Sequence, residues 1–176
     1  MIGPLRRRRL IATCAYVGIC LVIMFFELMP LAPGRPGPAA PDLALCLTLA
    51  WVLRRPDQLP VLVIATMMML GDIMLGRPFG LWSLIVLVGS EFLRGRGQVW
   101  ADQPFLFEWL RVSLLMGLMM VAARVIMVLF LLPVPGLAPI AMQWLATVVA
   151  YPLVVLVIHM IGVRRMSPAE IEMMVH

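Results

Sequence analysis

Six apolar runs, separated by short segments rich in Arg, Pro and Gly, account for almost the whole chain of 176 residues. The runs cover residues 10–31, 42–53, 59–75, 81–93, 105–132 and 140–163. Apolar residues follow one another in these runs without alternating with polar ones, and most of the runs are too long to be strands. The runs therefore predict α-helices. Because each run is bounded by charged or turn-forming residues, we expect an all-α membrane protein with six transmembrane helices in a single domain, 1–166.

Two of these runs, 42–53 and 81–93, are short for a bilayer. A helix rises 1.5 Å per residue, so 42–53 would be about 18 Å long, against a hydrocarbon core of about 30 Å. Such a helix either tilts among longer neighbours and uses flanking residues, or is re-entrant.

Composition agrees with a membrane protein. Hydrophobic residues make up 63% of the chain and charged residues 13%, against about 25% in soluble domains. The net charge of +5 comes from fourteen basic residues, all of them Arg. Most of these arginines flank the apolar runs, as residues that set membrane topology do. The excess of positive charge therefore does not indicate nucleic-acid binding.

The arginines also predict the orientation. With six spans and a cytoplasmic N-terminus, ten arginines fall on the cytoplasmic side and two, Arg35 and Arg77, on the other. The ten are Arg6, Arg7, Arg8, Arg9, Arg54, Arg55, Arg94, Arg96, Arg164 and Arg165. We expect a membrane protein with both termini in the cytoplasm. Its first span is then an uncleaved signal-anchor, and 167–176 forms a short cytoplasmic helix or tail.

Charged residues inside spans are costly and are candidates for function. The candidates are Glu27, Asp42, Asp72, Glu91, Arg124 and His159. By the predicted topology, four of them fall in the outer half of the membrane on four different helices. For Arg124 the preferred partner is Asp72 and the second choice is Glu27, although Arg77 could instead neutralise Asp72 at the turn. Such a cluster either forms an outward polar site for a ligand or partner helix, or is a structural set of ion pairs; the structural role is favoured.

Other features point to packing. Cys14, Cys20 and Cys46 lie in apolar runs and are interpreted as small hydrophobic residues. The five Trp residues lie near span ends and predict an aromatic belt. Three pairs of small residues four apart predict close helix contacts: Cys14/Gly18, Ser113/Gly117 and Ala146/Ala150. His159 is interpreted as interfacial, Glu91 is expected to pair with Arg94, and no cofactor or enzyme motif is recognised.

Two segments resemble the rod shape-determining protein family MreD. In the first, Pro41-Asp42-Leu43 opens the second span, and Trp51-Val52-Leu53-Arg54-Arg55-Pro56 closes it. In the second, Gly71 and Asp72 precede a Gly-x-Pro-x-Gly-Leu turn that contains Gly76, Pro78 and Gly80. Length and layout fit along most of the chain, although the Pro-rich first outer loop and the abundance of Met depart from a typical member.

The resemblance implies a fold similar to the substrate-binding S components of energy-coupling-factor transporters. It also implies a non-enzymatic scaffold of the cell-elongation complex that binds MreC and couples MreB to peptidoglycan synthesis by RodA and its transpeptidase. The motif residues would be structural or would position the partner, with an MreC helix in a groove rimmed by Asp72 and Arg124. The alternative is a small-solute or vitamin-binding membrane transport subunit.

Overall fold

The computed structural model describes residues 4–29, 40–96, 104–134 and 136–161 of the chain. These residues form six α-helices and no strand. The helices are α1 Pro4–Leu28, α2 Leu43–Arg54, α3 Val61–Met74, α4 Leu81–Arg96, α5 Phe105–Leu129 and α6 Leu137–Met160. The expected cytoplasmic helix or tail at 167–176, the topology markers Arg35, Arg164 and Arg165, and Trp100 lie outside the described residues.

Three of the helices are long and apolar enough to cross a membrane. They are α5, α6 and the part of α1 from Arg9 to Leu28. Their outward faces carry many large apolar side chains, including Leu114, which is 74% exposed. In water such a surface would be a liability, whereas lipid solvates it. The described part of the chain is therefore a helical bundle suited to a membrane.

Helix α2 is the central helix of the bundle. It contacts α1, α4 and α6, while α3 contacts α1 and α4, and α5 contacts α4 and α6. Every residue of α2 except the first is buried. A helix that is apolar on all faces is either buried in protein or in contact with lipid, and α2 is buried in protein. Protein therefore surrounds this short helix of 12 residues along its length.

Two buried contacts of α2 hold the first helix against it. The Tyr16 hydroxyl lies 2.8 Å from the Thr48 hydroxyl. The Tyr16 ring packs edge-on against Trp51, with the ring centroids 5.8 Å apart. Trp51 is fully buried, so the prediction that it belongs to an interfacial aromatic belt is wrong.

The turn between α3 and α4 depends on two glycines with positive φ. Gly76 has φ of 63° and Gly80 has φ of 78°, which glycine adopts without strain. After Gly76 the chain closes α3 with a Schellman motif: the Arg77 backbone N–H donates to the Asp72 carbonyl at 3.0 Å, and the Gly76 N–H donates to the Ile73 carbonyl at 3.4 Å. The predicted turn is confirmed at this position.

Helix α5 ends with the same motif but without a glycine. The Leu132 backbone N–H donates to the Met127 carbonyl at 2.9 Å. Leu131, which precedes Leu132 in the chain, has a φ of 54°, in the left-handed region that glycine usually occupies. This is why α5 stops at Leu129 and not at 132 as the apolar run predicts.

We expect Leu131→Gly to stabilise the protein, because glycine removes the steric strain of a left-handed backbone at this position. The gain should be about 0.5–1 kcal/mol in the free energy of unfolding. Thermal unfolding of the purified full chain in detergent measures it. Leu131→Ala is the matched control, since it removes the exposed side chain but keeps Cβ; an equal gain in this variant would contradict the explanation.

Close contact between α5 and α6 depends on the small pair Ser113/Gly117. The Trp144 indole N–H donates to the Ser113 carbonyl at 2.9 Å, and a Cβ added to Gly117 would lie 3.1 Å from the indole nitrogen. This pair therefore permits close approach, as predicted. Cys14 and Gly18, by contrast, are exposed, and a Cβ on Gly18 would have nothing within 4 Å.

Leucine at Gly117 should displace Trp144 and lower the free energy of unfolding by about 1–3 kcal/mol, as overpacking does. Gly18→Leu is the matched control, because it makes the same change in an apolar helix where space is open. The control should be neutral or slightly stabilising, since leucine favours helix more than glycine does. Equal melting temperatures for the two variants would contradict this prediction.

Candidate functional site

The predicted polar residues gather around the N-terminus of α2. Asp42 caps this helix, with its Oδ1 accepting from the Leu45 backbone N–H at 2.9 Å. Its own backbone N–H donates to the Thr147 hydroxyl of α6 at 3.1 Å. Asp42 is only 3% exposed, so this cap is a buried carboxylate at the end of the central helix. Aspartate is favoured here because its side chain satisfies an N–H group that the helix leaves free.

Arg77, in the turn between α3 and α4, neutralises Asp42. Its Nη1 lies 3.2 Å from Asp42 Oδ2, and its guanidinium lies over the Trp82 ring at 5.5 Å from the centroid. The alternative prediction placed Arg77 against Asp72. Its side chain instead reaches Asp42 on α2, and its backbone N–H bonds the Asp72 carbonyl. The turn is thus tied to the central helix by an ion pair, with an aromatic ring below the cation.

Asp72 is the cap of α4, although it belongs to α3. Its Oδ2 accepts hydrogen bonds from the Gly80 N–H at 3.1 Å, the Ser83 N–H at 3.2 Å and the Ser83 hydroxyl at 2.7 Å. It is 1% exposed. The prediction that Asp72 rims a groove for a partner helix is wrong, because its carboxylate is enclosed beneath the first turn of α4.

A cavity of about 180 Å³ lies above the Asp42 cap, and we call it the Asp42 cavity. Its polar lining residues are Asp42, Arg77, Trp82, Arg124 and Gln143. Its apolar lining comes from α4, α5, α6 and the turn before α4: Pro78, Leu81, Met120, Ala123, Met127 and Ile140. The difference in helix length accounts for the cavity: α2 has 12 residues, whereas α5 and α6 have 25 and 24. The central helix is shorter than its neighbours, so space remains beyond its N-terminus.

The four residues predicted as a polar cluster therefore lie in one region but in different roles. Asp42 and Arg124 line the same cavity. Glu27 on α1 is half-buried and within electrostatic range of Asp42 and Arg77. Asp72 lies below the turn that carries Arg77. The preferred partner of Arg124, Asp72, is held by other groups: the described hydrogen bonds to its carboxylate come from Gly80 in the turn and from Ser83 of α4.

The other motif residues also have structural positions. A Cβ on Gly71 would lie 3.1 Å from the Met24 methyl group, so this glycine lets α1 and α3 approach. Pro41 and Pro56 are half-buried beside the ends of α2. Arg55 is half-buried and takes part in a further polar interaction.

A second buried polar cluster lies at the other end of α2. Arg54 Nη1 is 3.0 Å from Glu108 Oε1 on α5, and the Tyr151 hydroxyl of α6 donates to the same oxygen at 2.8 Å. Arg54 is 7% exposed and Glu108 4%. The sequence analysis interprets Arg54 as one of the cytoplasmic arginines that set the topology, whereas in the structure it is a buried member of an ion pair.

Sequence reasoning missed Glu108, although a signal was available. It is an acidic residue within the apolar run 105–132, and the cost of burying a carboxylate in such a run predicts a partner. The predicted topology also puts it at the same depth as Arg54, since both lie near the cytoplasmic ends of their helices.

The remaining candidates have ordinary contacts. The predicted pair of Glu91 and Arg94 is confirmed, with Arg94 Nε 2.9 Å from Glu91 Oε1. Arg94 also donates to the carbonyls of Pro56 and Leu59 at 2.7 and 2.8 Å, which fastens the loop after α2 to α4. His159 is exposed in the last turn of α6.

Two tryptophans predicted as membrane anchors bind backbone of a neighbouring helix. Trp144 donates to Ser113, as described above, and the Trp109 indole N–H donates to the Val148 carbonyl at 3.0 Å. Within the described ranges, no group of three or more His, Cys, Asp or Glu side chains is placed to hold a metal ion. Cys14, Cys20 and Cys46 are free thiols.

Comparison of the chain with protein-family models, with curated protein sequences and with solved structures finds no match. The resemblance to the MreD family therefore remains a prediction made from the two motif segments.

Proposed function

We propose that this chain is a non-enzymatic scaffold of the MreD type in the bacterial inner membrane. The observation that supports it is that the two motif segments, 41–56 and 71–81, meet in space. Asp42 from the first is paired with Arg77 from the second at 3.2 Å, while Asp72 caps the helix that follows the second. Polar residues used in this way hold helices in register, which suits a protein whose role is to present a fixed surface.

In this proposal all six helices cross the bilayer, and both termini are cytoplasmic. The short helices α2, α3 and α4 cross as parts of a bundle whose longer members contact lipid. The burial of α2 supports this, because a surrounded helix needs no apolar length of its own to match the bilayer.

The proposed direct partner is a transmembrane helix of MreC, packed against a lipid-facing surface of the bundle. MreB, RodA and its transpeptidase would be reached through that complex. Helix association in lipid rests on packing and on a few polar contacts. Exposed apolar faces on α3, α5 and α6 offer such surfaces, with Leu62, Leu118 and Leu153 at 79, 64 and 65% exposure.

Site-specific photo-cross-linking in native membranes tests the partner. A photoreactive amino acid is placed singly at Leu62, Leu118 or Leu153, one position on each of three helices. We expect an adduct with MreC from one face and little from the others, and no adduct in a strain that lacks MreC. Absence of an MreC adduct at all three positions would contradict the proposal.

A second candidate function is the small-solute transport subunit, and the Asp42 cavity is the observation that favours it. Its volume of about 180 Å³ counts against a vitamin, since pockets for molecules of that size are about 300–1,000 Å³. Depletion of the protein separates the two functions. Rounded cells support the scaffold, whereas a nutrient requirement with normal cell shape supports transport.

A further inference from the structure

Helix α6 contains a proline in its interior, Pro152. Proline has no backbone N–H, so it cannot make the usual helical hydrogen bond to the carbonyl four residues earlier, and its ring crowds that carbonyl. In α6 this carbonyl belongs to Val148, which is a buried residue. A buried carbonyl without a donor costs free energy. The interior of α6 therefore needs a donor from another part of the protein.

Trp109 of α5 supplies this donor. Its indole N–H donates to the Val148 carbonyl at 3.0 Å. The residue before it, Glu108, accepts from the Tyr151 hydroxyl at 2.8 Å, and Tyr151 directly precedes the proline. Two consecutive residues of α5 thus hold the turn of α6 that lies immediately before the proline.

The register of α5 and α6 shows where this support ends. Trp109 of α5 bonds to Val148 of α6, and four residues later in α5 the Ser113 carbonyl accepts from Trp144, four residues earlier in α6. The two helices are therefore antiparallel. In this register the first residue of α5 is about level with the proline of α6. Residues 153–160 of α6 extend beyond α5.

The segment 153–160 is held differently from the turn before it. Its side chains are apolar apart from His159, which is exposed. Ile158 is buried, whereas Leu153 and Met160 are exposed. Apolar contacts are not directional, so they fix the orientation of this segment less than the hydrogen bonds fix the turn before the proline.

We propose that Pro152 is a hinge in α6, and that Trp109 holds the hinge in the observed conformation by replacing the donor that proline lacks. The segment 153–160 turns about the hinge, while the part of α6 before it stays fixed against α5. Proline is the commonest site of a bend in a helix, because the hydrogen-bond ladder is interrupted there. The hinge sets the direction in which the chain leaves the bundle after α6. This inference rests on the fold alone and does not depend on MreC.

A double-mutant cycle tests the role of Trp109. Trp109→Phe removes the indole donor, and Pro152→Ala restores a backbone N–H for the Val148 carbonyl. With Pro152 present, Trp109→Phe should raise the equilibrium constant for unfolding about tenfold, because a buried carbonyl loses its donor. In the Pro152→Ala background the same change should raise it by about threefold at most, since the helix then supplies the donor. Unfolding of the purified full chain by sodium dodecyl sulfate in mixed micelles measures the four constants.

Trp144→Phe is the matched control for the cycle. Trp144 makes the same kind of bond, at 2.9 Å to the Ser113 carbonyl, but four residues after Ser113 stands Gly117, which has a backbone N–H. Its effect should agree within about twofold in the two backgrounds. An equal effect of Trp109→Phe with and without Pro152 would overturn the proposal. If Trp109→Phe does not fold, recovery of folding in Trp109→Phe/Pro152→Ala supports the proposal, and failure to recover overturns it.

Distances between spin labels test the hinge itself. The exposed Cys14 is replaced by alanine, and nitroxides are attached in the variant Leu118→Cys/Met160→Cys, whose two positions are exposed on α5 and α6. Met160 lies eight residues beyond the proline, or about 12 Å, so a change in bend of about 20° moves it by about 4 Å. In Trp109→Phe the distance distribution should shift or broaden by about this amount. In Trp109→Phe/Pro152→Ala it should be single and narrow.

The pair Leu118→Cys/Leu145→Cys is the matched control, because Leu145 is exposed on the same helix but before the proline. Its distances should stay unchanged in Trp109→Phe. An unchanged distribution for the Met160 pair would show that Trp109 restrains no hinge. Equal shifts for both pairs would show that α6 moves as a whole, which would also overturn the proposal. Because no partner protein is present, these outcomes are independent of the MreC experiment.

Discussion

Replacing Glu108 by alanine should lower the free energy of unfolding by about 3–5 kcal/mol, the usual loss when one member of a buried ion pair is removed. In the parent protein, Glu108 Oε1 lies 3.0 Å from Arg54 and 2.8 Å from the Tyr151 hydroxyl. The variant would leave a guanidinium that is 93% buried without its carboxylate, and a fully buried hydroxyl without its acceptor. Thermal and denaturant unfolding of the purified chain in detergent measure the loss.

Two further variants separate the ion pair from a general sensitivity to mutation. Glu91→Ala removes an exposed carboxylate whose partner Arg94 is half-buried, and should cost about 0–1 kcal/mol because solvent already screens the charge of Glu91 and Arg94 keeps its bonds to the Pro56 and Leu59 carbonyls. The double variant Arg54→Met/Glu108→Met removes both buried charges and should recover at least half of the loss, since neither charge is then left unpaired. A double variant less stable than Glu108→Ala would show that our explanation of the pair is wrong.

The second large effect is expected at Asp72. Alanine at this position should cost about 2–4 kcal/mol, because three hydrogen bonds from Gly80 and Ser83 lose their acceptor at the buried start of α4. The negative charge also opposes the positive end of the helix dipole. The loss should appear as a lower melting temperature in detergent and as greater proteolysis of the α3–α4 turn.

Asp72→Asn is the matched control, because it keeps the shape and one acceptor oxygen while removing the charge. It should cost about 1 kcal/mol, less than alanine, since the amide oxygen can still accept from Ser83. If Asp72→Asn and Asp72→Ala lower the free energy of unfolding equally, the negative charge of Asp72 supports α4 and its hydrogen bonds do not. If both are harmless, Asp72 does not hold the turn at all.

The two ion pairs of α2 join residues that are remote in sequence, whereas the partners of Asp72, Gly80 and Ser83, are 8 and 11 positions away from it. Arg54 and Glu108 are 54 positions apart, and Asp42 and Arg77 are 35 apart. The helices that carry them meet because α2 lies at the centre, in contact with α4 and α6, which pack against α5. Loss of either polar contact should therefore affect the whole bundle rather than one helix.

The sequence alone was sufficient to predict the six helices of the described residues and their approximate limits. The starts of α4 at Leu81 and α5 at Phe105 are as predicted, because turn residues or proline directly precede them. The observed helix limits differ from the predicted ones where a residue that ends an apolar run is still compatible with a helix. Helix α1 begins at Pro4 rather than 10 because arginine is polar yet a good helix former. Helix α6 begins at Leu137 rather than 140 because Pro139 is tolerated in a first turn.

Of the candidate site, the sequence determined that charged residues from four helices lie near one end of the bundle. It could not determine their partners, since every carboxylate attracts every arginine and the choice depends on which helix faces lie together. Only the tertiary structure paired Asp42 with Arg77, enclosed Asp72 beneath α4 and joined Arg54 to Glu108. Nor does an apolar run reveal whether it faces lipid or protein, because both environments exclude water. Packing alone decided that the short α2 is central, and thereby created the cavity beyond its N-terminus.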